Sequence, residues 1–182
     1  MDKNRALTVS SQEFVQISAW TADLGIDVLF GYNELADESI YSSCALISGG
    51  KVINNYRRIS KGRKECSQTD EHYKEGCVVK AFEYKSKKCV IALCGDVWEY
   101  PEKFALGEDI LFWPVYVCWT KAEWKKEGRL QYAAQARLCC ENTLYVNSLC
   151  RGDAIGGAAQ FTDGKIKKEL PVFHEGLLYV TV

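Results

Sequence analysis

Residues 87–102, Lys-Lys-Cys-Val-Ile-Ala-Leu-Cys-Gly-Asp-Val-Trp-Glu-Tyr-Pro-Glu, constrain the fold more than any other stretch, because an apolar run ends abruptly at Cys94 and gives way to Gly95-Asp96. A continuous apolar run closed by a turn predicts a strand buried on both faces, which requires covering layers above and below the sheet. In α/β proteins chemistry collects at the carboxyl ends of such strands. Cys94 therefore occupies the place of a nucleophile.

The surrounding chain supplies elements for a mixed α/β layout. Ser10-Ser11-Gln12-Glu13 has the form of a capping box, and Phe14, Ile17, Trp20 and Leu24 follow at helical spacing until Gly25 offers a stop. Ile26 to Phe30 and Tyr41 to Ile47 read as strands, and Gly49-Gly50 as a hairpin turn into Val52 to Tyr56. Ser60 to Gly76 is polar and poor in apolar periodicity, so a long loop with some local helix is expected there. Asp109 to Val117 predicts a strand in which Pro114 implies an edge, a bulge or an early end. Lys121 to Cys140 predicts one helix, with Leu130, Ala133, Ala134, Arg137 and Leu138 at helical spacing. Leu144 to Leu149 is a strand, Asp163-Gly164 a hairpin turn between Ala158 to Phe161 and Ile166 to Leu170, and Leu177 to Val182 a last strand.

The totals exclude several classes. A chain of 182 residues with 47% hydrophobic and 26% charged content is expected to form one globular domain over residues 1–182. A net charge of -1 gives no global attraction to nucleic acid or to an anionic membrane, and no apolar run reaches the ~20 residues of a membrane helix. Nine scattered cysteines, an odd number, with no apolar segment after Met1-Asp2-Lys3-Asn4-Arg5, predict a reduced, cytoplasmic protein. No Cys-x-x-Cys occurs, and His72 and His174 stand apart from each other, so metal-site spacing is absent.

Ordered motifs along the chain resemble the nitrilase, or carbon-nitrogen hydrolase, superfamily. The strand ending in Cys94-Gly95-Asp96, with Tyr100-Pro101-Glu102 one residue further on than the family pattern, resembles its nucleophile motif. Gly31-Tyr32-Asn33-Glu34 and Tyr41-Ser42-Ser43 resemble its Gly-x-x-Glu and Tyr-Asn-Ser segments, and Tyr56-Arg57-Arg58 its Tyr-Arg-Lys segment. Ala136-Arg137 with Glu141-Asn142, then Asn147, then Gly157 through Gly164 continue the likeness. The resemblance implies a four-layer α-β-β-α sandwich that pairs into a homo-oligomer. It also implies N-terminal truncation, because the family's catalytic glutamate belongs to an opening strand-helix-strand section with no counterpart before Met1.

By the same resemblance Cys94 is the nucleophile, Glu34 matches an auxiliary glutamate, and Arg58 stands where the catalytic lysine would be. Arginine can hold an oxyanion but cannot shuttle a proton near neutrality. Lys61 would replace it only if a bulge redirects it, since odd offsets on a strand face opposite sides; Lys64 is a third choice. Glu34 has two readings, a loop carboxylate paired with a nearby Arg or Lys, or a group orienting the catalytic cation. Asp96 is expected to fix the turn by a side-chain hydrogen bond, and Trp98, Trp113, Trp119 and Trp124 to build core and interface. Cys139-Cys140 is expected to pack rather than to do redox chemistry.

Two functions follow. The first is hydrolysis of a small amide, carbamoyl or nitrile compound through a Cys94 thioester-type intermediate, which needs a thiolate, a base and donors aimed at the developing oxyanion. That chemistry would need neither a metal nor an organic cofactor. The second is a catalytically inactive, truncated scaffold acting as a binding or assembly protein.

Overall fold

The computed structural model describes residues 5–61, 72–150 and 153–182. The chain divides into two compact units, Met1–Val78 and Val79–Val182.

The first unit holds helix α1 (Gln12–Leu24) and a three-stranded antiparallel sheet, β1 (Val28–Ala36), β2 (Ser39–Ser48) and β3 (Lys51–Arg57), in the order β1-β2-β3. Glu13 in the first turn of α1 suits the positive end of the helix dipole, and Gly25 ends the helix in the left-handed region at φ 63°. The predicted capping box does not form. Ser11 is the N-cap residue, and its hydroxyl donates to the Thr8 carbonyl at 2.7 Å instead of accepting from the helix. The buried stripe is Phe14, Ile17 and Thr21, whereas Trp20 and Leu24, read as part of it, are 53% and 67% exposed.

Phe14 packs on Ala45 and Ile47 of β2 and against Phe30 and Tyr32 of β1, with ring centroids 5.7 and 5.3 Å away. The two hairpin turns are left-handed at both central residues, as two-residue turns between twisted strands require: Asp37 and Glu38 at φ 47° and 60°, Gly49 and Gly50 at 54° and 78°. Gly50 also brings the turn against the helix. Its N–H donates to the Thr21 hydroxyl at 2.9 Å, and a Cβ there would lie 3.3 Å from that of Ala22.

The second unit is a six-stranded sheet of β4 (Phe82–Tyr84), β5 (Lys87–Ile91), β6 (Ile110–Val115), β7 (Asn142–Asn147), β8 (Ala158–Thr162) and β9 (Lys165–Leu170), paired in chain order. β5, β6 and β7 run parallel, and antiparallel strands complete both edges. Short helices α2 (Asp96–Glu99) and α3 (Pro101–Phe104) follow β5. Pro114 sits in a central strand rather than at an edge, next to its last residue, so the early end is the outcome.

The predicted helix over Lys121 to Cys140 is interrupted. It consists of α4 (Lys121–Glu123), a π-helical segment Trp124–Gly128 and α5 (Arg129–Arg137). In an unbroken helix Trp124 and Tyr132 would stand about 80° apart around the axis; the extra residue of a π turn returns them to one face. Both then reach the sheet. Tyr132 stacks on Trp113 at 5.1 Å, Trp124 stacks on Tyr145 at 5.8 Å, and Tyr145 meets Phe161 at 5.7 Å. The predicted strand over Leu177 to Val182 does not form either. Side chains tether that segment instead, through Gln160 Nε2 to the Thr181 carbonyl and Lys168 Nζ to the Tyr179 carbonyl, both 3.2 Å.

Candidate active site

Cys94 lies where β5 gives way to α2. Past Ile91 the backbone still follows β6, with Ala92 N–H donating to the Phe112 carbonyl and Cys94 N–H to the Pro114 carbonyl, both at 3.0 Å. Cys94 itself then turns left-handed at φ 47°. A side chain costs about 1–3 kcal/mol in that region, so the surroundings must hold it there.

Two groups do so. The buried Asp96 carboxylate accepts from Leu93 N–H at 2.8 Å while Asp96 N–H donates to the Leu93 carbonyl at 3.0 Å, closing the turn across Cys94. Asp96 thus fixes the turn, by a bond that reaches back three residues. The Trp113 indole N–H donates to the Cys94 carbonyl at 3.0 Å from a fully buried position. The thiol is partly exposed and meets the Tyr116 carbonyl at a loose 3.9 Å. The segment carrying Tyr116 is held by Asn147, whose amide accepts from Val117 N–H and donates to the Val117 carbonyl, both at 3.1 Å.

Several other cysteines are worse candidates on physical grounds. Burial pushes the Cys44 thiol well above its ordinary value. Burial, with the charge of Asp109 added, raises Cys89 to about 11. Burial and Glu108 raise Cys139 to about 12, and burial also leads the rise of Cys140 to about 11. Cys139 and Cys140 pack as expected, with their sulfurs against the Pro101 and Asn142 carbonyls at 3.5 and 3.2 Å. Cys77, Cys118 and Cys150 are exposed, and Cys66 lies outside the described residues.

In the first unit Glu34 is a strand residue: of the two readings, the pairing with a nearby arginine is present but on a strand and not in a loop. The β1-β2-β3 register puts Tyr32, Glu34, Tyr41, Ser43, Asn55 and Arg57 on one face. Glu34 is buried, and Arg57 grips it with Nε at 2.8 Å and Nη2 at 2.9 Å. Ser43 donates at 2.6 Å and Asn55 at 3.1 Å, so each carboxylate oxygen accepts twice. Desolvation pulls the Glu34 carboxyl upward, but the donors from Arg57, Ser43 and Asn55 together with the Arg57 charge outweigh it and hold it below the usual carboxylate range. Arg57 also lies 4.1 Å over the Tyr41 ring.

Glu34 is thus paired with Arg57 and not with Arg58. Arg58 continues the ladder by one residue, its N–H on the Ser42 carbonyl at 2.9 Å, and successive side chains on extended backbone face opposite sides. Its buried guanidinium donates from Nε to the Ser60 hydroxyl at 2.7 Å. Lys61 is exposed, and Lys64 lies outside the described residues. The indole bond to Cys94 is the contact at the candidate site that sequence reading misses; Trp113 shows there only as an apolar aromatic in a strand.

No protein-family profile matches the chain. A glutamine-dependent NAD(+) synthetase of Thermotoga maritima is 28% identical over 102 residues, covering 54% of this chain and 17% of that protein. Solved structures agree over more of the chain. The glutamine-dependent NAD+ synthetase of Acinetobacter baumannii superposes with a TM-score of 0.71 at 20% identity, over 91% of this chain and 32% of its own. A CN-hydrolase superfamily protein of Xanthomonas campestris, carrying an arsenic adduct in its active site, gives 0.76 at 15% identity, over 95% and 68%. A mutant amidase of Nesterenkonia sp. AN1, with acrylamide added at its active-site cysteine, gives 0.69 at 18% identity, over 90% and 68%. The chain therefore spans a sixth to two thirds of the length of these relatives, and among them it has the α/β fold of the carbon-nitrogen hydrolase, or nitrilase, superfamily.

Proposed function

We propose that the chain hydrolyses a small amide, carbamoyl or nitrile compound with Cys94 as nucleophile. The observation that carries this reading is the presentation of Cys94: a left-handed residue at the end of a buried strand, with its sulfur partly exposed. The thiolate attacks the carbonyl carbon, a C–S bond forms, and the π pair moves onto oxygen. Collapse expels the amine, which takes up a proton, and leaves a thioester; water then adds and releases the acid and the thiol. The resemblance alone gives Arg58 or Lys61 the task of facing the oxyanion; within its own unit Arg58 is buried with Nε on the Ser60 hydroxyl, and Lys61 is exposed. Glu34 is a poor base, since its oxygens are saturated and its charge is stabilised.

Acylation and turnover are measured separately. The protein is treated with acrylamide and iodoacetamide, and with acetamide and glutamine as trial amides, while adducts are mapped by mass spectrometry and ammonia is followed. Cys94 is expected to react faster than the exposed Cys77, Cys118 and Cys150. Equal labelling of all four, with no ammonia from any amide, would remove the proposal.

A second reading, a non-hydrolytic scaffold that binds or assembles, is favoured by Arg58, because guanidinium stays protonated where the family's lysine can exchange a proton. Stoichiometric acylation of Cys94 without turnover would support it.

A further inference from the structure

We propose that Trp113 is a positioning residue for Cys94, holding the Cys94–Gly95 peptide so that the thiol and the Gly95 N–H both face away from the core. The inference rests on the reading of Cys94 as nucleophile and adds the residue that sets its geometry. A trans peptide points its carbonyl and its following N–H in opposite directions. The Cys94 carbonyl points into the core, onto the indole N–H of a fully buried Trp113 at 3.0 Å. The Gly95 N–H must then point outward, and among the described residues it has no acceptor.

The indole cannot move to release that carbonyl. Its ring is stacked on Tyr132 at 5.1 Å and set edge-on to Tyr145 at 5.8 Å. The strand carrying it is also the strand whose Pro114 carbonyl takes the Cys94 N–H, so β6 holds the peptide units on both sides of the cysteine. A left-handed non-glycine residue persists only when its neighbours over-determine it, and this pair of bonds does so. With the indole donor removed, the peptide is free to turn, and the outward N–H ceases to be fixed where a tetrahedral oxyanion would form. Donors of that kind act on the transition state and hardly on bound substrate, so the loss appears in kcat rather than in KM.

The test replaces the donor and keeps the shape. Trp113→Phe and site-specific replacement of Trp113 by benzothienylalanine, an isostere with sulfur in place of N–H, are compared with the unaltered chain, normalised to folded protein by circular dichroism. Kinetics use whichever trial amide the chain turns over, alongside the rate of Cys94 modification by acrylamide across pH. The expected result is a fall in kcat of about tenfold or more in both variants, KM within about twofold, and an altered pH profile of Cys94 modification. If the unaltered chain turns over and both variants match it per folded molecule, the positioning role is wrong while the nucleophile stands. If the unaltered chain neither acylates at Cys94 nor releases ammonia, the nucleophile reading fails and takes this inference with it.

Discussion

Glu34 in the first unit commits both carboxylate oxygens to four donors on one sheet face, whereas Cys94 in the second meets a carbonyl at a loose 3.9 Å and sits on strained backbone. Both residues stand out in the sequence, and both fall on family-like motifs. Their surroundings separate them. A saturated charge is already satisfied by the fold and has little left to offer a substrate, while a thiol held on costly backbone implies that the fold gives up some stability to present it.

The sharpest way to break this contrast is Cys94→Ala. Turnover is expected to fall by at least about 10³-fold, with the melting temperature nearly unchanged, and retained ammonia release would mean that the thiol is not the nucleophile. Glu34→Gln tests the other side. Loss of the charge from a buried carboxylate whose bidentate partner Arg57 is half-buried is expected to cost about 1–2 kcal/mol of stability, read from urea unfolding.

The pH dependence gives the sign. The folded carboxyl of Glu34 lies below its unfolded value of about 4.3, so its contribution is fully present above that pH and is lost as pH falls toward the folded value. The acid limb of the stability curve should therefore be shallower in Glu34→Gln than in the unaltered chain. An unchanged limb would place the acid sensitivity elsewhere.

Gly128→Ala is expected to cost about 2 kcal/mol, because the new methyl would fall 2.9 Å from the ring of Trp124, which is itself wedged among other aromatics. Thermal unfolding measures it, and a neutral result would show that the π-helical segment has slack. The smallest effect, and the most pointed, belongs to Cys94→Gly. It should raise stability by about 1 kcal/mol by relieving the left-handed strain while abolishing activity, and a loss of stability would mean that the strain is not there.

What the sequence made legible divides along the range of the signal. The Cys94 strand, the two-glycine turn and the Asp163-Gly164 turn are local chemistry, and they form where the residues indicate. Capping shows how thin even local signals are. Ser10-Ser11-Gln12-Glu13 has the pattern and makes no cap, while Thr120 and Glu123 close a complete capping box that the reading passed over. The difference is one of register: the two N-cap backbones nearly coincide, at φ/ψ -65°/150° for Ser11 and -71°/153° for Thr120, but the residue three after Ser11 is Phe14 and the Ser11 hydroxyl is turned to Thr8. The break in the helix after Glu123 was hidden because periodicity reports the mean turn and not one inserted residue. Leu177 to Val182 is apolar and rich in β-branched residues like a strand, yet it makes no ladder.

For the candidate site, the turn that presents Cys94 was legible and the partner of Glu34 half so. An Arg or Lys was expected, and Arg57 rather than its neighbour Arg58 answers, because strand register decides which of two adjacent arginines shares the carboxylate's face. The indole bond to Cys94 joins Trp113 on β6 to the turn after β5, nineteen residues away in the chain, and such a contact exists only after the sheet has closed.

Asn147 carries a consequence of its own. By engaging both the N–H and the carbonyl of Val117, its primary amide imitates one rung of a neighbouring strand after the real strand has stopped. The wall beside the sulfur is therefore registered to β7 and not to the loop that forms it. Exchange of that amide for a carboxylate would leave an acceptor with nothing to donate, and the wall would lose half of its anchor without any change in size.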